Sequence, residues 1–304
     1  MLASFPRCFY VIGVDDSVIC VADKSLDEGP SRLRIDFAGP PRLDVKEGAL
    51  VEMHHGDLHL GNRAVLRLSG AVPWSPRPVQ SLARPSAIRG RARHLVAPLE
   101  SEIPDAGLAP LVRIATELAQ GLAVRLPIQS NVARHALPAV EGLAAGLAAA
   151  DEHRVHSGVR RLIGLGPGLT PSGDDLLAGM LVALRCMQEV MAGDKVRIEG
   201  DMLADAVLRY APNGTTAISA AMLRNAARGV STRTVHRLVA ALLETRPLVA
   251  PIQPAREMVC TGHTSGWDSL AGLLLGLLPS SQRLECGRTA RIGKRRLISV
   301  GDSG

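Results

Sequence analysis

The 304 residues of the chain are 46% hydrophobic and 21% charged but only 2% aromatic, and the formal net charge is +6. This length holds one large domain or two modest ones with true cores, and the composition excludes a disordered chain and a membrane protein. So few aromatic rings argue against a stacking platform for single-stranded nucleic acid, and no nucleic-acid partner is expected.

The charge is unevenly placed. In residues 281–304, Arg283, Arg288, Arg291, Lys294, Arg295 and Arg296 oppose Glu285 and Asp302, so that segment carries +4 of the +6. It reads as a basic, solvated tail beyond a nearly neutral body. Cys8, Cys20, Cys186, Cys260 and Cys286 are odd in number and lack C-x-x-C spacing. They imply neither a disulfide framework nor a zinc knuckle, and a reducing cytoplasm is the expected location. Residues 1–7 lack the apolar core of a signal peptide, and the apolar run Leu270–Leu278 falls well short of the roughly 20 residues that span a bilayer.

In chain order, residues 1–80 read as a small antiparallel β module. Phe9–Val14 and Val18–Val21 are β-branched runs about the turn Asp15-Asp16-Ser17, Arg32–Phe37 alternates with period two, and Ala49–Met53 and Ala64–Leu68 continue the theme. The basic, Pro-bearing segment 81–107 reads as a linker draped over the next domain. From Leu108 the period becomes helical. Candidate helices span 108–124, 132–150, 174–191, 201–210, 216–228, 232–245 and 265–278, with breaks at Pro110, Pro127, Pro138, Pro212, Gly229 and Pro251. The expected fold class is therefore α+β. An N-terminal antiparallel β module precedes a mainly helical domain over 108–280, which carries two Gly-rich loop–helix motifs, and the tail 281–304 completes the chain.

The first motif is Gly164-Leu-Gly166-Pro-Gly168-Leu-Thr170-Pro-Ser172-Gly173-Asp174-Asp175, directly ahead of the apolar run Leu176–Leu184. Its glycines open the backbone to a ligand and its prolines stiffen it. A second stretch repeats it without gaps: Ser172–Leu184 aligns with Ser265–Leu277, with Ser172/Ser265, Gly173/Gly266, Asp175/Asp268, Gly179/Gly272 and four further positions identical. Duplication and convergence both account for this. Gly179 and Gly272 are costly inside helices unless two helices cross closely there, and such a crossing brings the two N-termini side by side.

Two Gly-rich helix starts side by side would cradle a small dianion, because unpaired N–H groups and the helix dipole favour negative charge. The competing structural reading is that Ser172-x-x-Asp175 and Ser265-x-x-Asp268 are capping boxes, closed on their own helices. Asp175 and Asp268 thus stand as metal ligands or caps, with Mg²⁺ the metal such oxygens would take. Asp174 has Trp267 as its counterpart and no evident capping duty; it would coordinate Mg²⁺, act as a base or donate to a substrate amide, unless it is merely well placed in a first helical turn. His263, before the second motif, would polarise a carbonyl or move a proton, or simply hydrogen-bond. Asn213-Gly-Thr215-Thr216-Ala-Ile-Ser219 is a third polar helix start, in which one of Thr215 and Thr216 is expected to be the N-cap.

Two other candidates are weaker. His55, Asp57 and His59 would line one strand face as metal ligands, but Gly56 between them suits a solvated hairpin better. The glycines match neither G-x-G-x-x-G nor a P-loop, so positive charge would have to come from Arg160, Arg161, a metal ion or a partner chain.

In order and spacing, the 164–175 motif, Asn213–Ser219 and Gly262-His-Thr-Ser-Gly-Trp-Asp268 resemble the AllH family, which includes a subunit of oxamate carbamoyltransferase. The resemblance covers roughly the last half of the chain, whereas residues 1–100 match only as a loose β-rich region. Leu176 stands where the family has an aromatic, and the basic tail lies outside the pattern. The resemblance implies a role in allantoin or related ureide catabolism, with oxalurate plus phosphate interconverting with oxamate plus carbamoyl phosphate. It further implies partner subunits, among them an acyl-CoA-synthetase-like chain. On this reading Gly166, Gly168, Thr170, Ser172 and Gly173 bind phosphate or carboxylate, Ser265 and Gly266 complete the cradle, Thr215 and Thr216 add hydroxyls, and Asp174 and His263 are catalytic. A stand-alone Mg²⁺-dependent hydrolase or phosphotransferase and a non-catalytic scaffold subunit are the alternatives.

Overall fold

The computed structural model of the protein describes residues 2–35, 47–61, 64–119, 129–190 and 194–277. The expected tail 281–304, and the ends of several expected elements such as Phe37 and Leu278, lie outside the described residues.

The chain folds as α+β. The strands β1 (Ala3–Phe5), β2 (Cys8–Ile12), β3 (Val18–Asp23) and β4 (Arg32–Ile35) form one sheet in that order, and β5 (Glu52–His54), β6 (Asp57–Leu60) and β7 (Ala64–Leu66) form a second. Pairing is antiparallel except between β3 and β4, which run parallel, a departure from the all-antiparallel expectation. Period-two alternation sends Phe9, Val11 and Val21 of one sheet against Leu58 and Leu60 of the other, so the two sheets close on a small core of their own.

The expected linker is draped over the helices as an ordered element. Its prolines start helices instead of breaking them: Pro85 opens α1 (Pro85–Val96), and a 3₁₀ turn continues it over Ala97–Glu102. Ile88, Ala92, Leu95 and Leu99 of this segment are fully buried in the main helical core.

A second 3₁₀ turn (Ala109–Ile114) leads into α2 (Ala115–Ala119). Beyond it come α3 (Asn131–Ala149), α4 (Glu152–Leu162), α5 (Ser172–Val190), α6 (Asp194–Gly214), α7 (Ala217–Ala227), α8 (Arg233–Leu243), α9 (Ile252–Val259) and α10 (265–277). Pro138 and Pro212 lie inside α3 and α6, contrary to the expectation that each ends a helix. α5 is buried along nearly its whole length, as its all-round apolar sequence requires.

The β module is fastened to the helices by polar contacts at one corner. Asp27 Oδ2 accepts the Thr234 N–H at 3.0 Å and the Glu28 carbonyl accepts the Arg233 N–H at 2.8 Å, which together cap the start of α8 from outside. Ala3 and Val18 pack on Ile218 of α7 beside this corner.

Candidate functional site

The centre of the helical domain is the crossing of α5 and α10. A Cβ on Gly179 would stand 2.1 Å from the Ser269 carbonyl oxygen, and one on Gly272 would stand 1.9 Å from that of Leu176. Under the alignment of the two motifs, Leu176 corresponds to Ser269 and Gly179 to Gly272, so the two contacts are the same contact seen from either side. The helices are thus related by a local twofold, and their N-termini lie together as the paired glycines imply. Each start is also packed on the preceding helix in the same way: Cβ atoms on Gly173 and Gly266 would both meet a carbonyl at 2.0 Å, of Leu162 in α4 and Met258 in α9 respectively.

The capping-box expectation fails in an informative way. Ser172 is the first helical residue of α5, and the first-turn N–H groups of Asp174 and Asp175 bond the Pro171 carbonyl. The serines turn across the twofold instead. Ser265 and Thr170 hydroxyls act on Asp175, while Ser172 and Thr264 hydroxyls act on Asp268, favouring its charged form. Each helix start therefore supplies a serine to the other helix's carboxylate.

Asp175 and Asp268 are both buried, and the Oδ2 of each has no hydrogen-bond partner of ordinary geometry. They differ in what else they touch. Asp268 Oδ1 accepts the Leu108 N–H at 2.6 Å, closing the N-terminus of the 3₁₀ turn over Ala109–Ile114. Burial lifts its pKa to about 6. Burial also raises Asp175 well above the ordinary carboxylate range, and the neighbouring Asp268 and Asp174 carboxylates push the same way.

Asp174 does have a structural duty, contrary to the expectation from sequence. It is fully buried; Oδ1 accepts the Gly164 N–H at 2.8 Å, and Oδ2 accepts the Ser219 hydroxyl at 2.6 Å and the Thr215 hydroxyl. One carboxylate thus ties the loop over 163–171 to the start of α7, and both its oxygens are spent. Its counterpart Trp267 is buried in the apolar core. Of the two threonines, Thr216 is the N-cap of α7, accepting the Ser219 N–H at 3.0 Å, and its hydroxyl donates to the Leu169 carbonyl at 2.5 Å.

The loop is held at both ends and open in the middle. Gly173 N–H is spent on the Leu165 carbonyl, Gly266 N–H on that of Thr261, and Thr170 Oγ1 meets Ser265 Oγ at 3.1 Å. Between these anchors Pro167, Gly168 and Leu169 are exposed, and the amides of Gly166 and Gly168 have no backbone partner among the described residues. Gly164, Gly166 and Gly168 all have positive φ, at 71°, 114° and 98°, which explains glycine at alternate positions. From outside inward the site is an exposed amide edge, a half-buried hydroxyl pair (Thr170 and Ser265), and the buried Asp175 beneath.

His263 sits exposed beside the start of α10, and Arg160 and Arg161 are exposed at the end of α4. The structure does not gather His55, Asp57 and His59: His55 and Gly56, with φ of 51° and 85°, make the two-residue turn of the β5–β6 hairpin, where His54 pairs with Asp57. Among the described residues no group of three or more His, Cys, Asp or Glu side chains is placed to hold a metal ion. No helix of the described residues is long and apolar enough to cross a membrane.

Sequence reading misses the third wall of the site. A Cβ on Gly107, whose φ is 52°, would lie 2.8 Å from Asp268 Oδ1 and 2.9 Å from Ser172 Oγ, and the Gly107 carbonyl accepts the Ser130 hydroxyl at 2.7 Å. The turn signal Asp105-Ala-Gly107 is present, but nothing local ties it to residue 268.

Residues 162–277 match the family described as oxamate carbamoyltransferase subunit AllH. The matched span starts at the last residue of α4 and ends with α10, so it takes in both helix starts and the crossing. No solved structure matches the chain.

Proposed function

We propose that this chain is a subunit of an oxamate carbamoyltransferase-like complex and that the loop over 163–171 is its small-anion site. The observation that carries the reading is the overlap of the AllH match with the interlocked starts of α5 and α10. In the reaction, a phosphate oxygen attacks the ureido carbonyl of oxalurate. The bond from that carbon to the nitrogen retained by oxamate breaks, and this nitrogen takes up a proton as carbamoyl phosphate forms.

Such a transfer needs alignment of two small anions and donors aimed at the carbonyl oxygen where charge develops, more than a covalent intermediate. The open amides of Gly166 and Gly168 and the hydroxyls of Thr170 and Ser265 suit that task. Ser172, Gly173 and Gly266 contribute from behind, since their polar groups face the other helix or the loop itself. Asp174 acts by holding the loop against Thr215 and Ser219, and Thr216 by fixing the Leu169 carbonyl. His263, exposed at the rim, is proposed to lie near the transferred carbonyl. Positive charge comes from Arg160 and Arg161, from a metal ion or from a partner subunit, with an acyl-CoA-synthetase-like chain as the proposed partner.

The test is purification of the chain with whatever it binds in its own cell, followed by assay of the intact complex for carbamoyl phosphate from oxalurate and phosphate. Formation that is lost with Gly168→Val while the complex still assembles supports the proposal. No carbamoyl phosphate from the intact wild-type complex overturns it.

A further inference from the structure

A hollow of about 450 Å³ opens between α8, the chain over 74–77 and residues 248 and 249, and none of its lining belongs to the loop over 163–171 or to the starts of α5 and α10. Its volume falls within the roughly 300–1,000 Å³ of small-molecule sites. One wall is a face of α8: Arg233, His236, Arg237, Ala240 and Ala241 recur at i, i+3, i+4, i+7 and i+8, so two cations, an imidazole and two small side chains line the same side. Another wall is Trp74, whose ring centroid lies 6.3 Å from that of His236 at an interplanar angle of 56°. The chain that carries Trp74 is stiffened by Pro73, Pro76 and Pro78. It is also anchored, because the buried Glu244 carboxylate pairs with Arg77 at 2.9 Å and accepts the Gln80 N–H at 3.1 Å.

Two features of this hollow point to a ligand. The Ser231 N–H donates to His236 Nε2 at 3.1 Å, and since a backbone N–H only donates, the ring is neutral with its proton on Nδ1. Burial favours the same state, lowering the His236 pKa to about 4. The residue is only 7% exposed, and its Nδ1–H has no partner among the described residues, which leaves a fixed donor in a mostly apolar hollow. The second feature is charge. Arg233 pairs with Glu28 and Arg237 with Glu257, and each guanidinium has N–H groups beyond those its carboxylate uses. Both pairs are partly exposed and weak enough to be shared. With Arg34 also on Glu28 and Arg77 on Glu244, four arginines meet three glutamates, so one positive charge is left over.

We propose that this hollow binds a flat heteroaromatic ring bearing one anionic group. The ring lies against Trp74, a ring nitrogen or carbonyl oxygen accepts the His236 Nδ1–H, and the anionic group bridges Arg233 and Arg237, one turn apart on α8. Trp74 and Arg77 precede the matched span 162–277 whereas α8 lies inside it, so the site is not a property of the matched segment alone. It stands independently of the carbamoyltransferase reading.

Mononucleotides are the probes: AMP, GMP and UMP on the full chain, with adenosine as the ring without the anion and ribose 5-phosphate as the anion without the ring. The chain has two tryptophans, and Trp267 is buried in the helical core, so quenching by a ligand and shielding from acrylamide report on Trp74. At least one mononucleotide is expected to quench saturably, and adenosine and ribose 5-phosphate should each bind about tenfold more weakly. In calorimetry, Trp74→Ala should weaken the mononucleotide about tenfold and Trp74→Phe by no more than about threefold. Arg237→Gln should weaken it about fivefold while leaving adenosine unchanged. Absence of saturable binding by all three mononucleotides overturns the proposal, as does binding that Trp74→Ala leaves untouched. Adenosine binding as tightly as AMP, or Arg237→Gln weakening both alike, overturns the assignment of an anionic ligand.

Discussion

Substitution of Gly272 by alanine tests the central crossing directly. In an isolated helix, Gly→Ala stabilises by roughly 1 kcal/mol. Here the added methyl would stand 1.9 Å from the Leu176 carbonyl oxygen and 2.9 Å from the Leu176 Cα, both backbone atoms of α5. No rotamer change relieves such a contact, so the helices must part by roughly 1 Å along a close-packed seam. Overpacking of this kind costs about 1–3 kcal/mol, and a backbone obstacle places it at the upper end, so a net loss of about 2 kcal/mol is expected after the propensity gain. Gly142 in α3 is the control, because a Cβ there meets nothing within 4 Å. Gly142→Ala should gain about 0.5–1 kcal/mol. Urea denaturation of both variants reads the difference as opposite shifts in midpoint at constant slope. If Gly272→Ala is as stable as Gly142→Ala, the helices do not cross at this distance and the twofold arrangement of Asp175 and Asp268 falls with it.

Further expectations concern charge and caps. Asp268 has a folded pKa near 6 against an ordinary 3.8, so its contribution is fully present below 3.8 and is lost as pH rises to 6; this is about 3 kcal/mol by linkage. The stability of Asp268→Asn relative to wild type should therefore improve by about 2 kcal/mol between pH 4 and 6, the rest falling outside that window, and a pH-independent difference refutes it. His236, buried on α8 with its pKa lowered from 6.5 to about 4, works with the opposite sign, gaining stability as pH rises through that window. His236→Gln should accordingly relieve acid destabilisation in thermal melts between pH 4 and 6.5. Thr216→Ala removes the α7 cap and is expected to cost about 1 kcal/mol in urea titrations, with faster amide exchange at the start of α7. Asp174→Ala leaves the Gly164, Thr215 and Ser219 donors unpaired and should cost about 3 kcal/mol or more, with activity falling alongside stability; an unchanged melting temperature would return Asp174 to a direct chemical role.

The pieces of this fold that show in the sequence are those whose cause is local. Alternation in Phe9–Val14 and turn chemistry at His55-Gly56 mark strands and hairpin, and the Thr215-Thr216 pair announces a helix cap without telling which of the two it is. The repeat of Ala-Gly at 178–179 and 271–272 even carries a tertiary contact, since helical glycine has few other uses. What is illegible is what depends on a distant partner. Ser172-x-x-Asp175 has capping-box spacing, and only the arrival of the other helix turns its serine outward to Asp268. Asp174 looks unemployed because Ser219 and Gly164 come to it from two other elements. Pro138 resides within α3 because burial of Ala133, Ala136, Ala139 and Val140 around it outweighs one lost hydrogen bond, whereas Pro212 stands in the exposed last turn of α6, two residues before its end. The 81–107 segment hides α1 behind its prolines and arginines, whose apolar partners Ile88, Ala92 and Leu95 are few but evenly spaced.

The crosswise exchange of serines also sets a timetable for the nascent chain. Asp175 emerges 93 residues ahead of Asp268, and at ribosomal speeds of about 5–20 residues per second the wait is about 5–20 s. During that interval the glycine seam of α5 lies bare and its acidic start lacks the Ser265 hydroxyl, so the first half of the motif is unfinished until the second is made. A nascent chain arrested before Ser265 is expected to be cut by protease within α5, and one released after α10 to resist.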